Sequence, residues 1–229
     1  MSTHDPLTAL FDDARIVVRS APVDIAHVDT LGPRERAQIQ RASPKRQREF
    51  ATARALARGA LGELGVSGFE ILNGEDRAPI WPEWIAGSIT HCDTRALVAL
   101  AERPTVGTFG IDAEHRAELK PDLWRMTLLA SEIAWLESRA EGERGLLALV
   151  LFSAKEALYK AQYPRSREFM GFHALEVRLA PGAADPTQTG EIRCVFQRDV
   201  GPFRFGFEAA GRYVTLPSGE LVSAVHIAP

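Results

Sequence analysis

The sequence predicts an α+β chain, and two observations carry that prediction. Apolar residues recur at helical spacing in two stretches, Phe50, Ala53, Ala57, Leu61 and Leu64, then Leu147, Leu151, Ala154, Leu158 and Ala161. Between and after them lie short segments with strand alternation, such as Phe109-Gly110-Ile111-Asp112-Ala113-Glu114. The order is strand, helices, strands, then helices, strands, which is not the repeated strand-helix alternation of a parallel sheet. The two halves look alike in layout, although no sequence repeat stands out.

The elements follow in order. Residues 15–19 read as a strand and 33–42 as a helix. Ser43 caps a second helix that opens on Pro44 and runs to about 64, where Gly65 ends it. Residues 69–72 read as a strand followed by a turn at Asn73-Gly74. Pro79 and Pro82 make the next stretch a stiff loop. Strands are expected at 88–90, 95–101 and 108–114, the first two joined by a turn at Cys92-Asp93-Thr94. After a polar connection, helices are expected at 123–129 and 131–139, and a long one at 143–162 that stops before Pro164. The C-terminal part reads as strands at 174–179, 192–197, 204–209 and 221–227, with a Pro/Gly/Ala-rich loop at 181–190.

Composition narrows the function classes. A chain of 229 residues suits one large domain or two small ones, and 45% hydrophobic with 25% charged residues supports a packed core. A net charge of −3 gives no support to general nucleic-acid binding. Cys92 and Cys194 have no zinc or redox spacing, and a disulfide between them is disfavoured without a secretory signal. Met1-Ser2-Thr3-His4-Asp5 is not the start of a signal peptide, and the longest apolar stretch, 146–152, is too short to span a bilayer. The expected setting is the cytoplasm.

Chemistry concentrates at two places. Asp112 and Glu114, two apart on a strand, share a face. On the long helix, Phe152, Lys155, Glu156, Tyr159 and Lys160 fall on one side, with Glu156 and Lys160 opposite the apolar stripe. A purely solvated face would not usually carry both large rings. Packed together, the two segments would gather three carboxylates and two ammonium groups. That set suits a hard divalent cation, Mg²⁺, and a phosphate-bearing ligand. The competing reading is ordinary surface charge on either segment.

The residues also carry a resemblance. Gly110-Ile111-Asp112-x-Glu114 followed by Phe152-Ser153-x-Lys155-Glu156-Ala157-x-x-Lys160 resembles the signature of the Sfp-type 4′-phosphopantetheinyl transferases, most of all the enterobactin synthetase component D-like branch. Lys45-Arg46-Gln47-Arg48-Glu49-Phe50 with Arg54, Arg77-Ala78-Pro79-Ile80-Trp81-Pro82, and Gly87-Ser88-Ile89-Thr90-His91-Cys92 resemble further family motifs in family order. The resemblance covers roughly 43–174 and is weak outside it.

The resemblance implies two similar α/β lobes related by a pseudo-twofold axis, 1–107 and 108–229, with the ligand in the cleft between. It implies Mg²⁺-dependent transfer of 4′-phosphopantetheine from coenzyme A to a serine of an apo acyl- or peptidyl-carrier protein, with release of adenosine 3′,5′-bisphosphate, for siderophore, non-ribosomal peptide or related pathways. Asp112, Glu114 and Glu156 match the metal ligands. Asp112, Glu156 and Lys160 would be catalytic, with Glu156 taking the serine proton directly or through water. Arg46, Arg54, Arg77, Thr90, His91, Lys155 and Lys160 would contact coenzyme A, Lys160 with a stronger claim than Lys155. Thr90 departs from the commoner Ser but keeps a hydroxyl. The stretch Leu119, Lys120, Leu123, Trp124, Arg125 and Met126 is expected to meet the acidic carrier, or else to be an ordinary amphipathic helix. The expected form is a monomer. Two alternatives stand beside this: a silent relative that binds coenzyme A or a carrier without reaction, and a Mg²⁺-dependent phosphohydrolase or nuclease.

Overall fold

A computed structural model describes residues 6–103, 106–181, 185 and 187–229. The N-terminal start at 1–5, Thr105 at the expected lobe boundary, and 182–184 and 186 of the expected loop lie outside the described residues.

The fold is α+β and built on two antiparallel sheets. The first holds β1 (Val17–Pro22), β2 (Ile85–His91) and β3 (Arg95–Glu102) in the order β1-β3-β2. Helix α1 (Pro33–Ile39) precedes α2 (Pro44–Glu63), which packs against β3. Ser43 caps α2 as expected, its side chain accepting from the Arg46 N–H. The second sheet begins with β4 (Thr108–His115). Then come α3 (Pro121–Thr127), α4 (Ala130–Glu137) and α5 (Glu141–Ser166). A short 3₁₀ turn (Phe172–Ala174) leads into β5 (Leu175–Leu179), β6 (Thr189–Phe196), β7 (Glu208–Thr215) and β8 (Glu220–Ile227), in the order β4-β8-β7-β6-β5. Helix α5 lies on β4 and β8.

Strand alternation in β4 decides what goes where. Phe109, Ile111 and Ala113 face a core shared with Leu97, Ala99 and Ala101 of β3, so this core welds the two sheets together. Gly110, Asp112 and Glu114 therefore face α5. The edge strands β2 and β4 lie side by side without a backbone ladder. Two hydroxyls take the place of ladder carbonyls: Ser88 accepts from the Ile111 N–H at 3.1 Å and Thr90 from the Ala113 N–H at 3.1 Å.

Three expected elements are corrected. Residues 69–72 are not a strand, because side chains take backbone groups that a ladder would use. Glu35 accepts from the Ile71 N–H and Arg54 donates to the Ile71 carbonyl. The long helix continues through Pro164 to Ser166. Its last turn closes with the Arg167 N–H on the Tyr163 carbonyl, and Arg167 ends it in the left-handed region, φ 56°. The strand read at 204–209 begins instead at Glu208. Phe203 and Phe207 alternate like strand residues but pack on Phe196 from a turn, and Asp199 holds that turn by accepting from the Phe205 N–H.

Candidate active site

The site exists because α5 can lie directly on β4. A methyl group at Gly110 would stand 2.0 Å from the Ala157 carbonyl oxygen and 2.9 Å from Lys160 Cβ. Only glycine permits that approach. It sets Lys160 over the strand, where its ammonium donates to Asp112 Oδ1 (2.7 Å), the Ile111 carbonyl (3.0 Å) and Thr90 Oγ1 (3.2 Å). Asp112 is buried and receives two further hydrogen bonds, from Ser153 Oγ (3.0 Å) and Thr90 Oγ1 (3.3 Å). One carboxylate thus joins β4, α5 and, through Thr90, the N-terminal sheet.

Glu114 and Glu156 are half-buried beside it. Burial and then the Asp112 charge push the Glu114 carboxyl up to about 7, and the same two causes raise Glu156. Among the described residues, no three acidic, His or Cys side chains already converge as a finished metal centre. The donors nonetheless fit Mg²⁺ in kind. All are carboxylate oxygens, two are raised partly by their neighbours' negative charge, and Lys160 supplies the positive charge at Asp112.

The basic cluster is anchored from below. Arg46 donates to His91 Nε2, while His91 Nδ1 lies 3.5 Å from Glu49, which is buried. An imidazole that accepts at Nε2 is neutral, in keeping with a His91 pushed down to about 4 by burial and by Arg46. Glu49 also lies 3.6 Å from Arg46. Sequence reading missed Glu49, although its place three residues after Arg46 on a helix was a usable sign.

Three residues that the resemblance assigns to coenzyme A, Arg54, Thr90 and Lys155, make bonds within the protein. Arg54 is buried. It donates to the Ile71 carbonyl (2.7 Å) and Asn73 Oδ1 (2.5 Å) and lies over the Phe50 ring, so it braces the loop. The Thr90 hydroxyl is bonded between the sheets: it donates to Asp112 and accepts from the Ala113 N–H and Lys160. The Lys155 side chain has no exposure, and its ammonium donates to Glu132 Oε2 (2.6 Å), the Thr127 carbonyl (3.0 Å) and the Phe172 carbonyl (3.2 Å). An ammonium has three protons, and all are used in the interior. Lys160 is also fully bonded, but its side chain is 28% exposed and lines a cleft. In the expected carrier-facing stretch, Trp124 is buried and Leu119 packs on the core. Leu123, Lys120, Arg125 and Met126 are exposed, Met126 to 68%.

Two cavities meet at Glu156 and Tyr159. The larger, about 350 Å³, lies between the sheets and is lined by Arg77, Arg103, Lys160 and Arg167 together with Gly87, Ser88 and Trp81. Arg77 takes φ +64°, in the loop closed by the Asn73–Pro79 bridge. Asp76 of that loop accepts from Tyr163 of α5 at 3.0 Å and latches the cleft. The smaller cavity, about 260 Å³, is largely apolar: Tyr159, Phe169, Met170, Phe172 and Leu175. Four cations in the lining of the larger cavity outnumber its two acids, Asp76 and Glu156, which suits an anionic ligand.

Residues 34–101 match the 4′-phosphopantetheinyl transferase N-terminal domain, and residues 108–204 match the 4′-phosphopantetheinyl transferase superfamily. The 4′-phosphopantetheinyl transferase Npt of Nocardia iowensis is 38% identical over 155 residues, covering 67% of this chain and 69% of that protein. The chain belongs to the 4′-phosphopantetheinyl transferase superfamily. The 4′-phosphopantetheinyl transferase Svp of Streptomyces mobaraensis is 40% identical over 157 residues, and the match spans 68% of this chain but 64% of that protein, less than two thirds. Enterobactin synthase component D of Escherichia coli is 35% identical over 144 residues, covering 61% of this chain and 66% of that protein. Both matched segments contain parts of the site: Arg46 and His91 in the first, Asp112, Glu114, Glu156 and Lys160 in the second. No helix of the described residues is long and apolar enough to cross a membrane.

Proposed function

We propose that this member of the superfamily transfers 4′-phosphopantetheine from coenzyme A to a serine of an apo acyl- or peptidyl-carrier protein. The observation that carries the reading is the union of Glu156 and Lys160 on the wall of a cation-lined cleft, with Asp112 bonded behind Lys160. The serine oxygen bonds to the β-phosphorus of coenzyme A, the bond from that phosphorus to the bridging oxygen breaks, and adenosine 3′,5′-bisphosphate leaves. Lys160, Arg77 and the Arg46–His91 pair bind and orient the phosphates. Glu156, whose carboxyl is raised by burial, accepts the serine proton. Asp112, Glu114 and Glu156 would hold Mg²⁺, whose charge would neutralise phosphate oxygens.

The two lobes, 1–107 and 108–229, supply the cleft from one chain, so a cytoplasmic monomer suffices. Exposed Leu123, Arg125, Met126 and Phe169 form the side offered to the carrier. A siderophore or non-ribosomal peptide role fits the named relatives. The test is chromatographic release of adenosine 3′,5′-bisphosphate from coenzyme A with Mg²⁺. Release only when apo-carrier is present supports transfer. Release without carrier would mean hydrolysis, and coenzyme A binding with no release would mean a silent relative.

A further inference from the structure

Each lobe contains the same buried ionic hub. In the first, Glu35 has no exposure and sits at the third position of α1. Its Oε2 accepts from the Gly32 N–H (3.1 Å) and from Arg58 (2.5 Å), and its Oε1 from the Ile71 N–H (3.0 Å). In the second, Glu132 sits at the third position of α4. Its Oε2 accepts from the Leu129 N–H (2.6 Å) and from Lys155 (2.6 Å), and its Oε1 from the Val177 N–H (2.7 Å). Both cations come from the lobe's long helix, and both stand 23 residues after their acid. Both also bond the carbonyl of a threonine five residues before that acid: Arg58 to Thr30 (2.9 Å), Lys155 to Thr127 (3.0 Å). Thr30-Leu31 and Thr127-Leu128 thus open the same short pattern. The sheets agree at one end, because β1-β3-β2 and the β4-β8-β7 part of the five-stranded sheet both run first strand, last strand, last but one.

We infer that Lys155 is the second-lobe counterpart of Arg58, a positioning residue that does not touch coenzyme A and instead holds the apolar side of the site for the carrier. Chance would not reproduce the same acceptor oxygen, the same helix position and the same separation in both lobes. Arg58 sits far along the chain from the metal-type carboxylates and bonds only Glu35 and Thr30, so the same duty accounts for the Glu132 and Thr127 bonds of Lys155.

What the second hub adds is its third bond. By donating to the Thr127 and Phe172 carbonyls, Lys155 ties the end of α3 to the segment carrying Phe169–Phe172. Those two pieces present Leu123, Met126 and Phe169, exposed at 40%, 68% and 79%. The smaller cavity opens between that segment and the Lys155, Glu156 and Tyr159 stretch of α5, so the stem of Lys155 is itself part of its wall. Without the ammonium, the Thr127 and Phe172 carbonyls and the Glu132 carboxylate all lose a buried donor, and the wall loosens.

The inference rests on the proposed transfer for its kinetic readout, so the experiment has two independent arms. Lys155→Met, Glu132→Gln and the double variant are compared with wild type. In the first arm, coenzyme A affinity is measured by calorimetry and transfer at varied carrier concentration. Both single variants are expected to keep coenzyme A affinity within about threefold. They are expected to lose about tenfold or more in kcat/KM for carrier, the scale of a modest misplacement of reacting groups. The second arm is urea unfolding of the same set, which needs no activity. There the double variant is expected to be no less stable than either single one, because it leaves no unpaired buried charge. A coenzyme A affinity reduced tenfold in Lys155→Met but unchanged in Glu132→Gln would overturn the inference in favour of a phosphate contact. So would additive losses of stability. If wild type transfers nothing, the transfer reading fails, and the affinity and unfolding results still decide the hub.

Discussion

Replacing Gly110 by alanine tests the contact that assembles the site. The added Cβ would stand 2.0 Å from the Ala157 carbonyl oxygen, 2.7 Å from the Ala161 nitrogen and 2.9 Å from Lys160 Cβ. Two of these are helix backbone and cannot rotate away, so α5 must retreat from β4 by about 1 Å or more to restore normal packing. Overpacking of this kind costs about 1–3 kcal/mol, and with a backbone neighbour the upper end is expected. The same retreat lengthens the 2.7 Å Lys160–Asp112 bond and shifts Glu156, and a displacement of about 1 Å at reacting groups costs on the order of 100-fold in rate. Gly59 is the control: it lies inside α2 with nothing within 4 Å of an added Cβ. Alanine there should stabilise by about 0.5–1 kcal/mol and leave transfer unchanged. Urea unfolding and carrier-modification rates on both variants are the assays. A Gly110→Ala protein destabilised by less than about 1 kcal/mol, with transfer near wild type, would refute the claim that this approach builds the site.

Other outcomes follow from the same geometry. His91 is pushed down to about 4 in the folded protein, below its unfolded value near 6.5, so the unfolded chain binds the extra proton first. Stability should therefore fall as pH drops from 6.5 to 4, by up to about 3 kcal/mol, and His91→Asn should flatten that part of a pH–stability profile. Glu114 has the opposite sign. Its carboxyl is raised to about 7, so metal-free stability is full below 4.5 and is lost as pH rises through 7. Metal-free Glu114→Gln should accordingly unfold at higher temperature than wild type at pH 8 and gain less from added Mg²⁺; equal midpoints would contradict the shift. Ser88→Ala and Thr90→Val each strip an acceptor from a buried N–H of β4 and should cost about 1–3 kcal/mol in chemical unfolding. Thr90→Val should impair transfer more than Ser88→Ala, because Thr90 also bonds Asp112 and Lys160, whereas Ser88 only lines the cleft.

Most of the element pattern could be read from the sequence, for physical reasons visible in particular residues. Ser43-Pro44 marked the start of α2, and the alternation of Phe109 to Glu114 placed the acids on one face of β4. What misled were residues whose partners are distant in sequence. Phe205 and Phe207 mimic a strand, while the true β7 runs through small Ala209, Ala210 and Gly211, which carry little strand signal of their own. Ile71 gives its backbone groups to Glu35 and Arg54, something local propensity cannot express. Lys155 sits one residue from Glu156 on the helix, and spacing put both on one side. Its long stem turns instead to Glu132, 23 residues back. The Thr-Leu pattern leading to Glu35 and Glu132 was present in the sequence all along. It became meaningful once the hubs showed which residues correspond.

The most direct test is intact-mass spectrometry of an apo-carrier protein after incubation with this protein, coenzyme A and Mg²⁺. The expected result is the gain of one phosphopantetheine group, abolished by EDTA and by Asp112→Ala. An unmodified carrier across acyl- and peptidyl-carrier substrates, with coenzyme A bound, would contradict it. So would undiminished modification by Asp112→Ala.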